Sequence, residues 1–171
     1  MRRTRWLFFN LVFNLAARRV TLARADMSHS GWSWTFERVI PSKAGAHRPV
    51  VEEILDRLEQ EQWPAHDIFS VRMALEEALC NAIKHGNRLD HRKKVAIVCK
   101  MATSRLWIKV TDEGCGFCPE RVPDPCDPAN LERPSGRGIM LMRCYMTRVE
   151  YNEAGNVVEM EKERAGSVEP V

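Results

Sequence analysis

The sequence predicts an α+β protein, with a mixed, mainly antiparallel sheet and its helices on one face. Two observations carry this. Two helical patterns come early, over 47–62 and 71–87. Short apolar runs then follow in close pairs, 95–101 with 106–112 and 148–151 with 157–162, a spacing that makes hairpins. No repeat of 20–50 residues is visible.

The chain of 171 residues is long enough for one domain with a full core, and 44% hydrophobic with 29% charged residues is ordinary for a soluble globular protein. The net charge of +3 comes from the first segment: residues 1–26 hold Arg2, Arg3, Arg5, Arg18, Arg19 and Arg24 against Asp26. The remainder has 20 basic and 22 acidic residues. The charge thus points to no nucleic-acid surface, and neither nucleic acid nor a membrane is expected as a partner. The apolar run from Trp6 to Ala17 is too short to span a bilayer and is broken by Asn10 and Asn14. It has the charge of a signal peptide, but Arg18-Arg19 stand where small residues should be. A reading-frame extension upstream of Met27 is the preferred reading, with a membrane-surface helix as the alternative. The expected organisation is an N-terminal extension over 1–30, one domain over 31–164 and a flexible tail over 165–171.

Each element has its own signature. Trp32 to Ile40 alternates Trp32, Trp34 and Phe36 with polar neighbours and reads as a strand ended by Pro41. His47 to Gln62 carries Val50, Val51, Ile54, Leu55 and Leu58 at helical spacing, with Pro49 in the first turn. Trp63-Pro64 breaks it. Val71, Leu75, Ala78, Leu79 and Ala82 then form one apolar stripe of a second helix, and Gly86-Asn87 predict a left-handed cap. Arg88 to Lys93 is a charged turn, followed by the first hairpin. Pro119 to Pro134 is a long proline-rich loop. Ser135-Gly-Arg-Gly138 opens a helix containing Ile139, Leu141, Met142 and Met146, and the second hairpin closes the fold.

Six cysteines raise the metal question. Cys80 and Cys99 fall in apolar settings and read as small hydrophobes. Cys115-x-x-Cys118 with Cys126 offers three thiols, but no second CxxC or HxxxH follows at finger spacing. Free thiols in a reducing cytosol are expected, and hence a cytoplasmic protein.

Three stretches carry chemistry. Glu77 and Asn81 lie one turn apart on the second helix, where a carboxylate and a carboxamide can hold a metal–phosphate group beside a reacting hydroxyl. Asp112 ends a strand, with Gly114 and Gly116 after it. The carboxylate can accept from an exocyclic amine such as that of adenine, and glycine lets backbone approach a ligand. Gly136-Arg137-Gly138 opens a helix, whose N-terminus favours anions. Taken singly, these are also a solvated helix face, an Asp-x-Gly turn and a capping glycine turn.

Together, Glu77-x-x-x-Asn81, Asp112-x-Gly-x-Gly116 and Gly136-x-Gly138 resemble the Bergerat ATP-binding fold, a two-layer sandwich shared by gyrase-type, chaperone and histidine-kinase ATPases. No GxxxxGK[ST] and no HRD or DFG set is present. Within that superfamily, LEEALCNAIKHGN, DEGCGF and SGRGIMLMR resemble the anti-sigma-factor serine/threonine kinases of the RsbW and SpoIIAB type, over roughly Phe36 to Lys162. The resemblance implies ATP and Mg²⁺ as cofactors. Glu77 would activate the attacking hydroxyl, and Asn81 would bind Mg²⁺. His85 and Gly86 would complete the same box. Asp112 would read adenine above Gly114 and Gly116. Gly136, Arg137 and Gly138 would meet the phosphates. The implied partners are a sigma factor and a small antagonist protein phosphorylated on serine or threonine, with a homodimer as an allowed state. One departure is that related ATPases often carry a threonine on the final strand, where this chain has Asn156-Val157-Val158-Glu159. Two other readings stay open: a non-catalytic ATP-binding module that sequesters a partner, and a catalytic domain detached from a histidine kinase. No phospho-acceptor helical hairpin stands ahead of the domain, which counts against a complete histidine kinase.

Overall fold

A computed structural model describes residues 31–117 and 137–166. The expected extension over 1–30 and the proline-rich loop over 119–134 therefore lie outside the described residues. The element order is β1 (Trp34–Pro41), α1 (Arg48–Gln60), α2 (Ala65–Asn81) with a π-helical turn (Ala82–Gly86), β2 (Lys94–Met101), β3 (Arg105–Asp112), α3 (Arg137–Tyr145), β4 (Arg148–Tyr151) and β5 (Val157–Glu163). The sheet runs β1-β2-β3-β5-β4, and all four pairings are antiparallel.

Alternation along the strands decides which face is covered. Val95, Ile97, Cys99 and Met101 of β2 and Leu106, Ile108 and Val110 of β3 are buried, while the residues between them are partly exposed. That is a sheet packed on one side. The buried side meets Val50, Val51, Ile54, Leu55 and Leu58 of α1 and Val71, Ala74, Leu75, Ala78 and Leu79 of α2. At the edge, Arg38 of β1 lays its guanidinium 4.7 Å over the Phe36 ring and pairs with Glu53 of α1 at 2.9 Å.

Two boundaries differ from expectation. The second helix starts at Ala65, not Val71. Its extra turns bury Asp67 and Ser70, polar residues that hide the apolar period. Asp67 accepts the Ala165 N–H at 2.9 Å, and Ser70 Oγ donates to the His66 carbonyl at 2.8 Å. At the other end, Gly86 and Asn87 do not form a left-handed cap. Asn87 keeps a right-handed backbone, and positive φ falls on Arg88 and Leu89. The π-turn absorbs one extra residue, as the Asn87 N–H bond to the Ala82 carbonyl shows, so the reversal comes later.

Candidate functional site

The end of α2 and the end of β3 are fastened to each other. Asn87 is fully buried there. Its Nδ2 donates to the Lys94 carbonyl at 2.9 Å, and its Oδ1 accepts the Glu113 N–H at 2.8 Å. Glu113 Oε2 in turn accepts the Lys94 N–H at 2.6 Å. The residue expected to cap a helix thus joins helix, strand and turn.

This fastening sets Gly86 against Asp112. A Cβ on Gly86 would fall 2.4–2.5 Å from all three carboxyl atoms of Asp112, and one on Gly114 would fall 2.2 Å from the Gly86 carbonyl oxygen. Asp112 Oδ1 accepts the Gly114 N–H at 2.7 Å. Burial raises the Asp112 carboxyl above its ordinary value, against the lowering effects of that N–H and of Lys93. A carboxylate whose charge is disfavoured by burial gains most from a donor that arrives beside it. Gly116, at φ +72°, lies so close to the Ala154 carbonyl that any side chain would collide with it. The loop after Asp112 is thereby locked to the β4–β5 turn. Asn156 stands just before β5, at the head of the Asn156–Glu159 stretch that carries no hydroxyl. Its Nδ2 donates to the Asp112 carbonyl at 3.2 Å, and its own carbonyl accepts the Asp112 N–H at 3.0 Å.

The first motif meets the third. A Cβ on Gly138 would fall 1.7 Å from Glu77 Oε1, so the first turn of α3 abuts the Glu77 carboxylate. Phe69 of α2 and Tyr145 of α3 hold the same two helices together, edge to face at 5.8 Å. Asn81 is half-buried at the last position of α2, one turn from Glu77. His85 is exposed on the π-turn. Arg137 is the first residue of α3, and Gly136 lies outside the described residues.

Sequence reasoning missed Tyr151 and Phe117 as parts of this site. The Tyr151 hydroxyl is pushed up to about 12, first by burial and then by Glu77, with Arg143 opposing and Asp112 adding to the rise. It therefore feels both carboxylates of the site. The Phe117 ring meets it edge to face at 5.1 Å. An aromatic residue at each end of the Gly116–Gly155 lock was the available signal.

The residues fit the cofactors implied for them. Asn81 offers a neutral hard oxygen, the donor class that Mg²⁺ accepts alongside phosphate and water. Asp112 offers a part-buried acceptor, and α3 points its first turn at Glu77.

Comparison with known proteins places the chain in a family. The histidine kinase-like ATPase domain family matches residues 40–162. The anti-sigma F factor of Clostridium acetobutylicum is 32% identical over 122 residues, covering 68% of this chain and 73% of the relative. The serine/threonine-protein kinase BtrW of Bordetella bronchiseptica is 23% identical over 94 residues, covering 54% of this chain and 66% of BtrW. A crystal structure of the RsbU and RsbW domains of a Mycobacterium tuberculosis protein superposes with a TM-score of 0.54 at 13% identity. That match takes in 77% of this chain but spans only 32% of the other, and it bears on the fold alone. The chain belongs to the histidine kinase-like ATPase domain family, in the group of anti-sigma factors of the RsbW and SpoIIAB type. An ATPase domain of this family binds ATP. Among the described residues, no helix is long and apolar enough to cross a membrane.

Proposed function

We propose that this chain is an ATP-dependent protein serine/threonine kinase that doubles as an anti-sigma factor in partner-switching control of transcription. The observation that carries the reading is the Glu77 carboxylate against Gly138 in the first turn of α3. A base and an anion-favouring helix start then share one spot, as transfer of a phosphoryl group to a hydroxyl requires.

In this reading Asp112 accepts the adenine amine, and the α2–β3 fastening through Asn87 keeps that carboxylate in place. Asn81 is the magnesium ligand; the ion, when bound, neutralises charge on the phosphates. Glu77 accepts the proton of the incoming serine or threonine hydroxyl as that oxygen bonds to the γ-phosphorus of ATP and the bond to the β–γ bridging oxygen breaks, releasing ADP. Gly138 leaves the glutamate room, and the N–H groups of the first turn of α3 favour the phosphate charge. The chain contributes positioning and electrostatics. The partners are a sigma factor in one state and a small antagonist protein in the other, in the cytoplasm.

The test uses purified full-length chain, Mg²⁺, labelled ATP and the product of a neighbouring small antagonist gene. Asn81→Ala is expected to weaken Mg·ATP binding. Glu77→Ala is expected to leave that binding largely intact and to slow single-turnover phosphorylation by about 10²–10⁴-fold, the range for a positioned base. A wild-type rate in Glu77→Ala refutes the catalytic role. Tight ATP binding with no phosphorylation of any candidate antagonist moves the protein to the non-catalytic, sequestering reading.

A further inference from the structure

His47 stands just before α1 but does not cap it; no side-chain hydrogen bond closes that helix start. The side chain is instead buried against α2, with only 8% of it exposed. Its Nε2 lies 2.9 Å from Glu76 Oε2 and 3.9 Å from Cys80 Sγ. One donor atom from each residue lies within 4.8 Å of the other two. Glu76 and Cys80 are one turn apart on α2. They adjoin Glu77 and Asn81 in sequence, yet they meet the start of α1, whereas Glu77 meets α3. The proposed kinase mechanism uses none of the three.

The spacing suits a metal. A tetrahedral zinc ion with ordinary bond lengths sets its N and O ligands about 3.3 Å apart and its N and S ligands about 3.5 Å apart. The His47–Glu76 and His47–Cys80 separations miss these by about 0.4 Å each, and the Glu76 oxygen and Cys80 Sγ lie within 4.8 Å of each other, so the side chains rotate inward to meet one ion. A ligand set of imidazole, carboxylate and thiolate selects zinc over Mg²⁺ and Ca²⁺, which take oxygen donors. We propose that His47, Glu76 and Cys80 form a zinc site, with water at the fourth position, that clamps the start of α1 to α2 beside the Glu77–Asn81 turn.

The site carries an identifiable weakness. With the ion on Nε2, the ring proton sits on Nδ1, a buried atom with no hydrogen-bond partner. A ligating histidine normally donates that proton, and losing such a partner costs about 10–100-fold in metal affinity. The site is thus a loose, exchangeable one and not a permanent structural zinc.

Cobalt reports it directly. Full-length protein without nucleotide is titrated with Co²⁺, whose thiolate charge-transfer and tetrahedral visible bands are read, and Zn²⁺ is then added to displace it. The competing thiols are Cys115, Cys118, Cys126 and the exposed Cys144, so Cys115→Ser/Cys118→Ser and Cys144→Ser are run beside Cys80→Ala. Alanine suits a mid-helix position, and circular dichroism with an ATP-binding control confirms that the variant folds. Expected are bands that saturate at one ion per chain, vanish in Cys80→Ala, weaken at least tenfold in affinity in Glu76→Gln and persist in Cys115→Ser/Cys118→Ser and in Cys144→Ser. Zn²⁺ should also raise the thermal midpoint of the wild type and not that of Cys80→Ala. Absence of a thiolate–cobalt band overturns the proposal. So do bands that survive Cys80→Ala and disappear in Cys115→Ser/Cys118→Ser or in Cys144→Ser.

Discussion

Gly86→Ala isolates the coupling between the two halves of the proposed nucleotide site. The new methyl would stand 2.4 Å from Asp112 Cγ and 2.5 Å from each carboxyl oxygen. Ordinary van der Waals contact begins near 3.4 Å, so the carboxyl group must retreat by about 1 Å. Oδ1 now sits 2.7 Å from the Gly114 nitrogen. A retreat of that size takes it out of hydrogen-bond range of this donor, and of an adenine amine placed to meet it. A hydrogen bond to a charged group contributes about 1.5–3 kcal/mol. Losing one weakens Mg·ATP binding by roughly 10- to 150-fold. The backbone is unaffected, since Gly86 has no positive φ. Calorimetry with Mg·ATP, beside thermal unfolding without nucleotide, measures both. An affinity within twofold of wild type refutes the reasoning. So does a full additional loss when Gly86→Ala is combined with Asp112→Asn, because both act through one carboxylate.

Two further outcomes are expected. Burial holds the Asp112 carboxyl above its ordinary 3.8, so the folded protein keeps a proton there that the unfolded chain has released. This group's contribution to stability therefore falls as pH rises from 3.8 through the folded value. In the proposed adenine contact nucleotide affinity runs the other way, because only the ionised form accepts the amine. ATP binding should weaken as pH is lowered through the raised value, and in Asp112→Asn it should be weaker at neutral pH and lose that slope; a shared slope in a calorimetric pH series would remove Asp112 as the cause. Asn87→Ala removes the side-chain partner of the Lys94 carbonyl and of the Glu113 N–H, two part-buried hydrogen bonds that contribute about 0.5–1.5 kcal/mol each; a denaturant midpoint unchanged from wild type would show that the fastening contributes nothing.

Much of the fold was legible because its signals are local. The apolar stripe Val71, Leu75, Ala78, Leu79 and Ala82 is buried throughout, and both hairpins form where apolar runs stand close in sequence. The start of α2 was not legible, since Asp67 is made tolerable in the core by Lys162 and Ala165, partners 95 and 98 residues away. The turn after α2 was displaced by a π-turn that no single residue announces. In the candidate site, Glu77, Asn81, Asp112 and the glycines were singled out by motif alone. Their mutual approach, Gly138 on Glu77 and Gly86 on Asp112, is a product of tertiary packing. Asn87 and Tyr151 were missed for the same reason: their roles depend on partners that periodicity cannot supply.

The path of β1 has a consequence for how the chain reaches this fold. Its last residue, Pro41, pairs with Lys94, the first residue of β2, so 52 residues and both long helices lie between strands that are neighbours in the sheet. β2 and β3 are separated by only three residues, 102–104. Closing the longer loop costs about 2.5 kcal/mol more in chain entropy, taking the logarithmic dependence on length. The β2–β3 hairpin therefore has the head start, and β1, at the sheet's edge, joins after the helices have brought it near. During refolding, pulse-labelled amides of β2 and β3 should gain protection before those of β1; the reverse order would mean that the N-terminal strand, and not the hairpin, nucleates the sheet.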